Sequence, residues 1–273
     1  MPENRGHQKG LSVREAKRLQ RMPLEITLQL LWLGTSIMEH RQAFSPRLTD
    51  PTNLAQVGET VRIEEYRSYG YVHSIHLALQ LAHPRVAFVC HNQGQGGATS
   101  RDLARAARDL STRTTFDIAV FGCGINDVWR AYQGRDAEAV AIDEYAEHYT
   151  TTLTVLAARA RHIVCVSETP IGPIADPQTV AAMNEDLARY NQVAAQCAAK
   201  AGVPFIDVWT PFTETAYALA RHRSTEPPML WSDGVHLSDL GVALLTQQVE
   251  AHLRENRVVE RLLPEQHQTR ADR

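Results

Sequence analysis

The stretch Ile26-Thr27-Leu28-Gln29-Leu30-Leu31-Trp32-Leu33, followed at once by Gly34-Thr35-Ser36, decides how the rest of the chain is read. A nearly continuous apolar run ended by glycine reads as a strand buried on both faces of a parallel sheet. Four further runs share that character, at 86–90, 117–121, 162–167 and 204–208. Between them lie segments with helical periodicity and strong helix formers, at 71–82, 101–110, 143–160, 179–201 and 238–254. Strands alternating with helices predict a doubly wound α/β domain. Right-handed crossovers then put the strand C-termini on one edge, and ligands of such sheets bind just outside that edge.

The segment after each strand is therefore informative. The first strand leads into Gly34-Thr35-Ser36, and the second into Asn92-Gln93-Gly94-Gln95-Gly96-Gly97-Ala98-Thr99-Ser100. The third leads into Gly122-Cys123-Gly124-Ile125-Asn126-Asp127, and the fourth into Glu168-Thr169-Pro170-Ile171-Gly172-Pro173. Ser36 stands where a strand ends and a helix begins, so its hydroxyl can face the site, although the same position suits a plain helix cap. In Asp233-Gly234-Val235-His236 a carboxylate three residues before a histidine can fold back onto Nδ1 and leave Nε2 for a hydroxyl. An Asp-Gly turn with an exposed histidine is the simpler alternative. Gly97 and Asn126 are candidate donors to a developing oxyanion. They also read as ordinary turn and cap residues.

Composition narrows the classes. The chain has 273 residues, 44% hydrophobic and 22% charged, enough for a sizeable core in one large domain. A net charge of -3 lacks the basic surplus of a nucleic-acid binder. The basic residues near the start (Arg5, Lys9, Arg14, Lys17, Arg18, Arg21) have no apolar run behind them, so neither a signal peptide nor a membrane span is expected. Three lysines against 25 arginines suggest a GC-rich bacterial genome. Cys90, Cys123 and Cys165 fall in or beside apolar runs and, with Cys197, are expected as reduced thiols in a cytoplasmic protein. No Cys/His spacing suggests zinc. The expected layout is an N-terminal extension at 1–24, a domain at 25–255 and a tail at 256–273. That tail would pack through Val258, Val259, Leu262 and Leu263 or, if these were exposed, offer them to a second subunit. The connection at 41–71 is long for a compact domain and is expected to carry an insertion near the site.

The chain order Ser36, Gly97, Asn126, then Asp233 and His236, resembles the SGNH/GDSL hydrolase family, and the resemblance runs from about Leu28 to Leu253. It implies a three-layer α/β/α sandwich with a central five-stranded parallel sheet, flavodoxin-like. It gives Ser36 the nucleophile's part, His236 the base's and Asp233 the orienting one, with the oxyanion held by Gly97 N–H, the Asn126 amide and Ser36 N–H. Thr35 departs from the family's usual aspartate. The implied reaction cleaves an ester of a small molecule through an acyl-enzyme and needs no metal or organic cofactor. An acyltransferase or thioesterase could use the same triad.

Two other readings are weaker. Gly94-Gln95-Gly96 after a strand suggests a dinucleotide fingerprint, but Thr99 occupies the third glycine position and Asp117 opens a strand instead of closing one. A binding module on the same fold has no need of a complete Ser, Asp and His set. Substrate choice is expected to reside in 39–71, 170–177 and 211–231. Their Phe44, Tyr66, Ile171, Ile174, Phe212, Tyr217, Met229 and Trp231 either line a pocket or pack the loops onto the sheet.

Overall fold

The structure, a computed structural model, describes residues 26–39, 70–110, 113–222 and 230–264. The expected N-terminal extension and most of the long connection at 41–71 lie outside them. Five strands, β1 (Ile26–Gly34), β2 (Val86–Gly94), β3 (Phe116–Gly122), β4 (Ala160–Val166) and β5 (Phe205–Ile206), form one parallel sheet in the order β2-β1-β3-β4-β5. Around it lie α1 (Ser36–Glu39), α2 (Gly70–Ala82), α3 (Ser100–Asp109), α4 (Ile125–Tyr132), α5 (Ile142–Ala157), α6 (Pro177–Lys200), α7 (Trp209–His222), α8 (Asp239–Glu255) and α9 (Val258–Leu262).

The alternation along β1 builds the three layers. Leu28, Leu30 and Trp32 face one side, where they pack with Ile75 and Leu79 of α2 and Leu245 and Val249 of α8. Leu31 and Leu33 face the other, against Leu103 of α3, Tyr145 and Tyr149 of α5 and Ala194 of α6. Both faces of the strand are therefore covered, as its unbroken hydrophobicity predicts. The strand order reverses direction between β1 and β3. In open α/β sheets the ligand crevice opens at that switch point.

The strand ends meet unusually closely. Gly34 is in register with Gly94 on one side and Gly122 on the other, so three glycines form a row across the carboxyl edge. A Cβ at position 94 would lie 2.2 Å from the backbone nitrogen of Glu39, and one at position 122 would lie 2.8 Å from the carbonyl of Val166. Only hydrogen fits there, and the loops descend onto the sheet because of it.

Several expectations are corrected. Strand β2 continues to Gly94 because β1 offers a partner that far, and as an edge strand it leaves Cys90 exposed, not buried. Strand β5 keeps only Phe205 and Ile206 of its apolar run, since it pairs with β4 alone. Much of the expected loop at 211–231 is helix α7, whose first turn carries Pro211, a position where no amide hydrogen bond is lost. Val258, Val259, Leu262 and Leu263 are buried in the core, so the tail packs through α9 and they are not available to a second subunit. Among the described residues no helix is long and apolar enough to cross a membrane.

Ending the chain at Asn256 removes four buried apolar side chains, each worth roughly 1.5–3 kcal/mol when fully buried. Urea unfolding of that truncated protein should show a loss of several kcal/mol; an unchanged midpoint would mean that α9 is not part of the core.

Candidate active site

The carbonyl of Thr35 accepts hydrogen bonds from Met38 N–H at 3.1 Å and Glu39 N–H at 3.0 Å, so β1 turns directly into α1. Ser36 becomes the first residue of that helix, buried at 5% exposure. Asn92 steadies the turn from β2: its Nδ2 donates to Met38 O at 3.0 Å and its Oδ1 accepts from Gly94 N–H at 2.9 Å.

The loop before α8 supplies the partner. Asp233 Oδ1 accepts from the backbone N–H groups of Val235 (2.9 Å) and His236 (2.7 Å), which curls the Asp-Gly turn around the imidazole. Gly234 takes φ +92 there, a conformation that side chains rarely adopt. Asp233 Oδ2 lies 2.7 Å from His236 Nδ1, and His236 Nε2 lies 3.0 Å from Ser36 Oγ. With the carboxylate ionised, Nδ1 carries the ring hydrogen and Nε2 is left as the acceptor for the serine hydroxyl. Burial alone would raise the Asp233 carboxyl, but the hydrogen bonds from the His236 ring and the two backbone N–H groups outweigh it and hold the group below its usual range.

A second loop holds this one in place. Gly172 N–H donates to Gly234 O at 2.7 Å, and Trp231 Nε1–H donates to Pro170 O at 2.8 Å. Ile171 packs with Val235 in a small apolar cluster. Of the side chains expected to line a pocket, Ile171 and Phe212 are thus buried packing residues, Trp231 braces the loop and Tyr217 is exposed. Phe44, Tyr66 and Met229 lie outside the described residues.

The donor candidates lie on the loop after β2 and at the start of α4, two segments bonded to each other. Gly97 has φ +75, and a Cβ there would lie 2.7 Å from Arg130 Nη2, which donates to Gly97 O at 2.9 Å. Asn126, second residue of α4 and 2% exposed, donates one amide hydrogen to Ala98 O at 2.9 Å, leaving the other for a ligand. Buried Asp127 accepts from Ser100 N–H at 3.0 Å and from its hydroxyl, joining the first turns of α3 and α4. Burial pushes that carboxyl up to about 6, with the Ser100 bonds opposing.

The fold brings all five residues singled out by sequence pattern, Ser36, Gly97, Asn126, Asp233 and His236, to one edge of the sheet. The pattern does not identify the supports Asn92, Asp127 and Arg130, whereas Trp231 takes the second of its two expected parts and packs a loop. Asn92 and Asp127 carry one sequence signal, a polar residue within a few positions of a strand end. Two histidines whose partners the sequence does not reveal differ from each other: His148 meets Glu144 at 3.1 Å, whereas His162 Nε2 is buried without a hydrogen-bond partner among the described residues. Among the described residues no group of three or more His, Cys, Asp or Glu side chains is arranged to hold a metal ion.

The model of the GDSL-like lipase/acylhydrolase family matches residues 55–244. An acetylxylan esterase from Geobacillus stearothermophilus is 30% identical over 192 residues, 68% of this chain and 80% of its own. The crystal structure of an acetylxylan esterase from that organism superposes with a TM-score of 0.63 at 25% identity, covering 86% of this chain and 96% of its own. Catalytic mutants solved for that esterase replace a serine, an aspartate or a histidine by alanine. An α/β hydrolase enzyme from the metagenome of Lake Arreo, Spain, shares the fold, with a TM-score of 0.62 at 22% identity over 82% of this chain and 94% of its own.

Replacing Gly97 by alanine forces a side chain into a left-handed backbone, at about 1–2 kcal/mol, and against the Arg130 guanidinium. Urea denaturation should register at least that loss; a variant as stable as the parent would show that the loop relaxes freely.

Proposed function

The chain belongs to the GDSL-like lipase/acylhydrolase family and is a carboxylic ester hydrolase, and from that premise we propose that it removes acetyl groups from the hydroxyls of small carbohydrates, with Ser36, His236 and Asp233 as its triad. The observation that carries the reading is the unbroken chain from Asp233 Oδ2 through both imidazole nitrogens to Ser36 Oγ, at 2.7 and 3.0 Å. It is the geometry that activates a hydroxyl otherwise too weak to attack an ester.

In this mechanism Ser36 Oγ attacks the ester carbonyl while its proton passes to His236 Nε2. The carbonyl oxygen becomes an oxyanion facing Gly97 N–H, Ser36 N–H and the free hydrogen of the Asn126 amide. Removing one such donor typically costs 10²–10³ in rate, about 2.7–4 kcal/mol. Asp233 steadies the imidazolium. On collapse the proton goes to the departing alcohol oxygen, and the acetyl group stays on Ser36. A water then gives its proton to His236 and attacks the acyl-enzyme; the same proton returns to Ser36 as acetate leaves.

The carbohydrate part of the proposal is supported by two observations. The Geobacillus relatives are esterases of acetylxylan and of acetyl-xylooligosaccharides. Beside Gly97, though lined by none of Ser36, Asn126, Asp233 or His236, opens a cavity of about 550 Å³ whose Gln93, Gln95, Asp102, Arg105 and Asp109 are groups suited to sugar hydroxyls.

Acetate release from acetylated xylo-oligosaccharides should proceed with a higher kcat/KM than hydrolysis of nitrophenyl esters of longer acids. The reverse preference would refute the substrate class. A fluorophosphonate probe should label the parent and not Ser36→Ala, whose turnover should fall by about 10³-fold or more. Asp233→Asn should fold normally yet lose roughly 10⁴ in kcat, because the amide favours the wrong imidazole tautomer. A loss below tenfold would remove Asp233 from its role.

A further inference from the structure

The carboxyl ends of β1, β3 and β4 enclose Glu168, an acid that the reaction scheme leaves unused. Glu168 follows β4 by two residues, is 6% exposed, and its Oε1 meets no hydrogen-bond partner among the described residues. The other carboxyl oxygen accepts the N–H of Ile125, the first residue of α4. Asn191 of α6 clamps the Glu168 backbone from both sides: Glu168 N–H donates to Asn191 Oδ1 at 2.8 Å, and Asn191 Nδ2 donates to Glu168 O at 3.1 Å. With Thr35 and Thr169 the residue lines a cavity of about 20 Å³, room for one water molecule. The Thr169 hydroxyl is likewise buried without a partner among the described residues. Glu168 thus stands behind both halves of the site, since Thr35 precedes Ser36 and Ile125 precedes Asn126.

A negative charge is costly in this position. Among the described residues, the titratable groups facing Glu168 are Tyr71 of α2, Cys123 after β3, Asp127 of α4 and Tyr145 of α5, each neutral or anionic. With one backbone donor and no cation among the described residues, a buried carboxylate here is poorly compensated for its lost hydration. Burial first, and then the Asp127 charge, push the Glu168 carboxyl up to about 7 despite the bond from Ile125.

We propose that Glu168 is a positioning residue that works as a neutral carboxylic acid, one oxygen fixing the first turn of α4 so that the Asn126 amide faces the oxyanion, and the O–H of the other closing the cavity shared with Thr35 and Thr169. Loss of that proton puts a full negative charge next to the helix turn that must stabilise a second one, and the barrier rises. The sign is set by the raised pKa: the protonated, competent form dominates on the acid side and is lost as pH rises through about 7. The inference rests on the proposed roles of Ser36, His236 and Asn126.

The test is the pH dependence of kcat/KM for nitrophenyl acetate, from pH 5 to pH 9, in the parent, Glu168→Gln and Glu168→Met. The parent should rise from the acid side as His236 becomes a neutral base and then fall by about threefold or more on the alkaline side. Glu168→Gln should keep the parent's maximum within about threefold and lose the alkaline fall. If that variant does not fold, Glu168→Met, also uncharged, should lose the fall too. A purely structural Glu168 would shift the melting temperature and leave the shape of the profile alone. The idea is overturned by an alkaline fall that persists in either variant, by a parent profile without one, or by a folded Glu168→Gln that is inactive. A parent that turns over no ester, or a Ser36→Ala that still does, would instead defeat the underlying site reading.

Discussion

The site depends on how closely the strand ends can be approached. Gly94, Gly34 and Gly122 lie side by side across β2, β1 and β3, and at positions 94 and 122 any Cβ would strike main-chain atoms of a neighbouring segment. Main chain cannot step aside as a flexible side chain can. Because the row is hydrogen-only, α1 settles directly on the sheet edge, the loop after β2 closes over it, and α4 begins within reach of both. The distance from Ser36 to His236 is a consequence of that closeness.

Around this row the loops are tied mainly by side chain to backbone bonds. Asn92 holds α1, Arg130 holds Gly97, Asn126 holds Ala98 and Trp231 holds Pro170. Each contact fixes a different segment against its neighbour, so the groups that face substrate are preorganised without any of them being pinned by substrate itself. The two deepest acids, Asp127 and Glu168, are supplied differently. Among the described residues, Asp127 has the Ser100 N–H and hydroxyl as donors, whereas Glu168 has the single N–H of Ile125. That inequality separates an acid that can carry charge from one better kept neutral.

How much of this the sequence displays depends on the range of each signal. The buried strands are visible because covering both faces of a parallel sheet demands runs such as 26–33. The constellation of Ser36, Asp233 and His236 is visible because Asp233 and His236 belong to one turn and Ser36 follows a strand. Helix α7 is hidden: Trp209, Pro211 and the polar residues after them look like a loop until the Asp207 carboxylate is seen accepting the N–H groups of Trp209 and Thr210. Helix α4, eight residues long and preceded by a glycine, is too short for periodicity to show. Glu168 cannot be judged from its neighbours in sequence, since what makes it unusual is the company of Tyr71, Asp127 and Tyr145, brought together only by topology.

The loop bearing Asp233 and His236 also has a bearing on biosynthesis. In the proposed mechanism Ser36 requires an imidazole that is encoded 200 residues later. A nascent chain still on the ribosome therefore carries an inert hydroxyl, and the helices that seal the Trp32 face of the sheet, α8 and α9, are translated after that. Such distant pairings close slowly. Under the proposed roles, reactivity is thus withheld until residue 236 has emerged, and a fragment lacking it has no means to activate its serine.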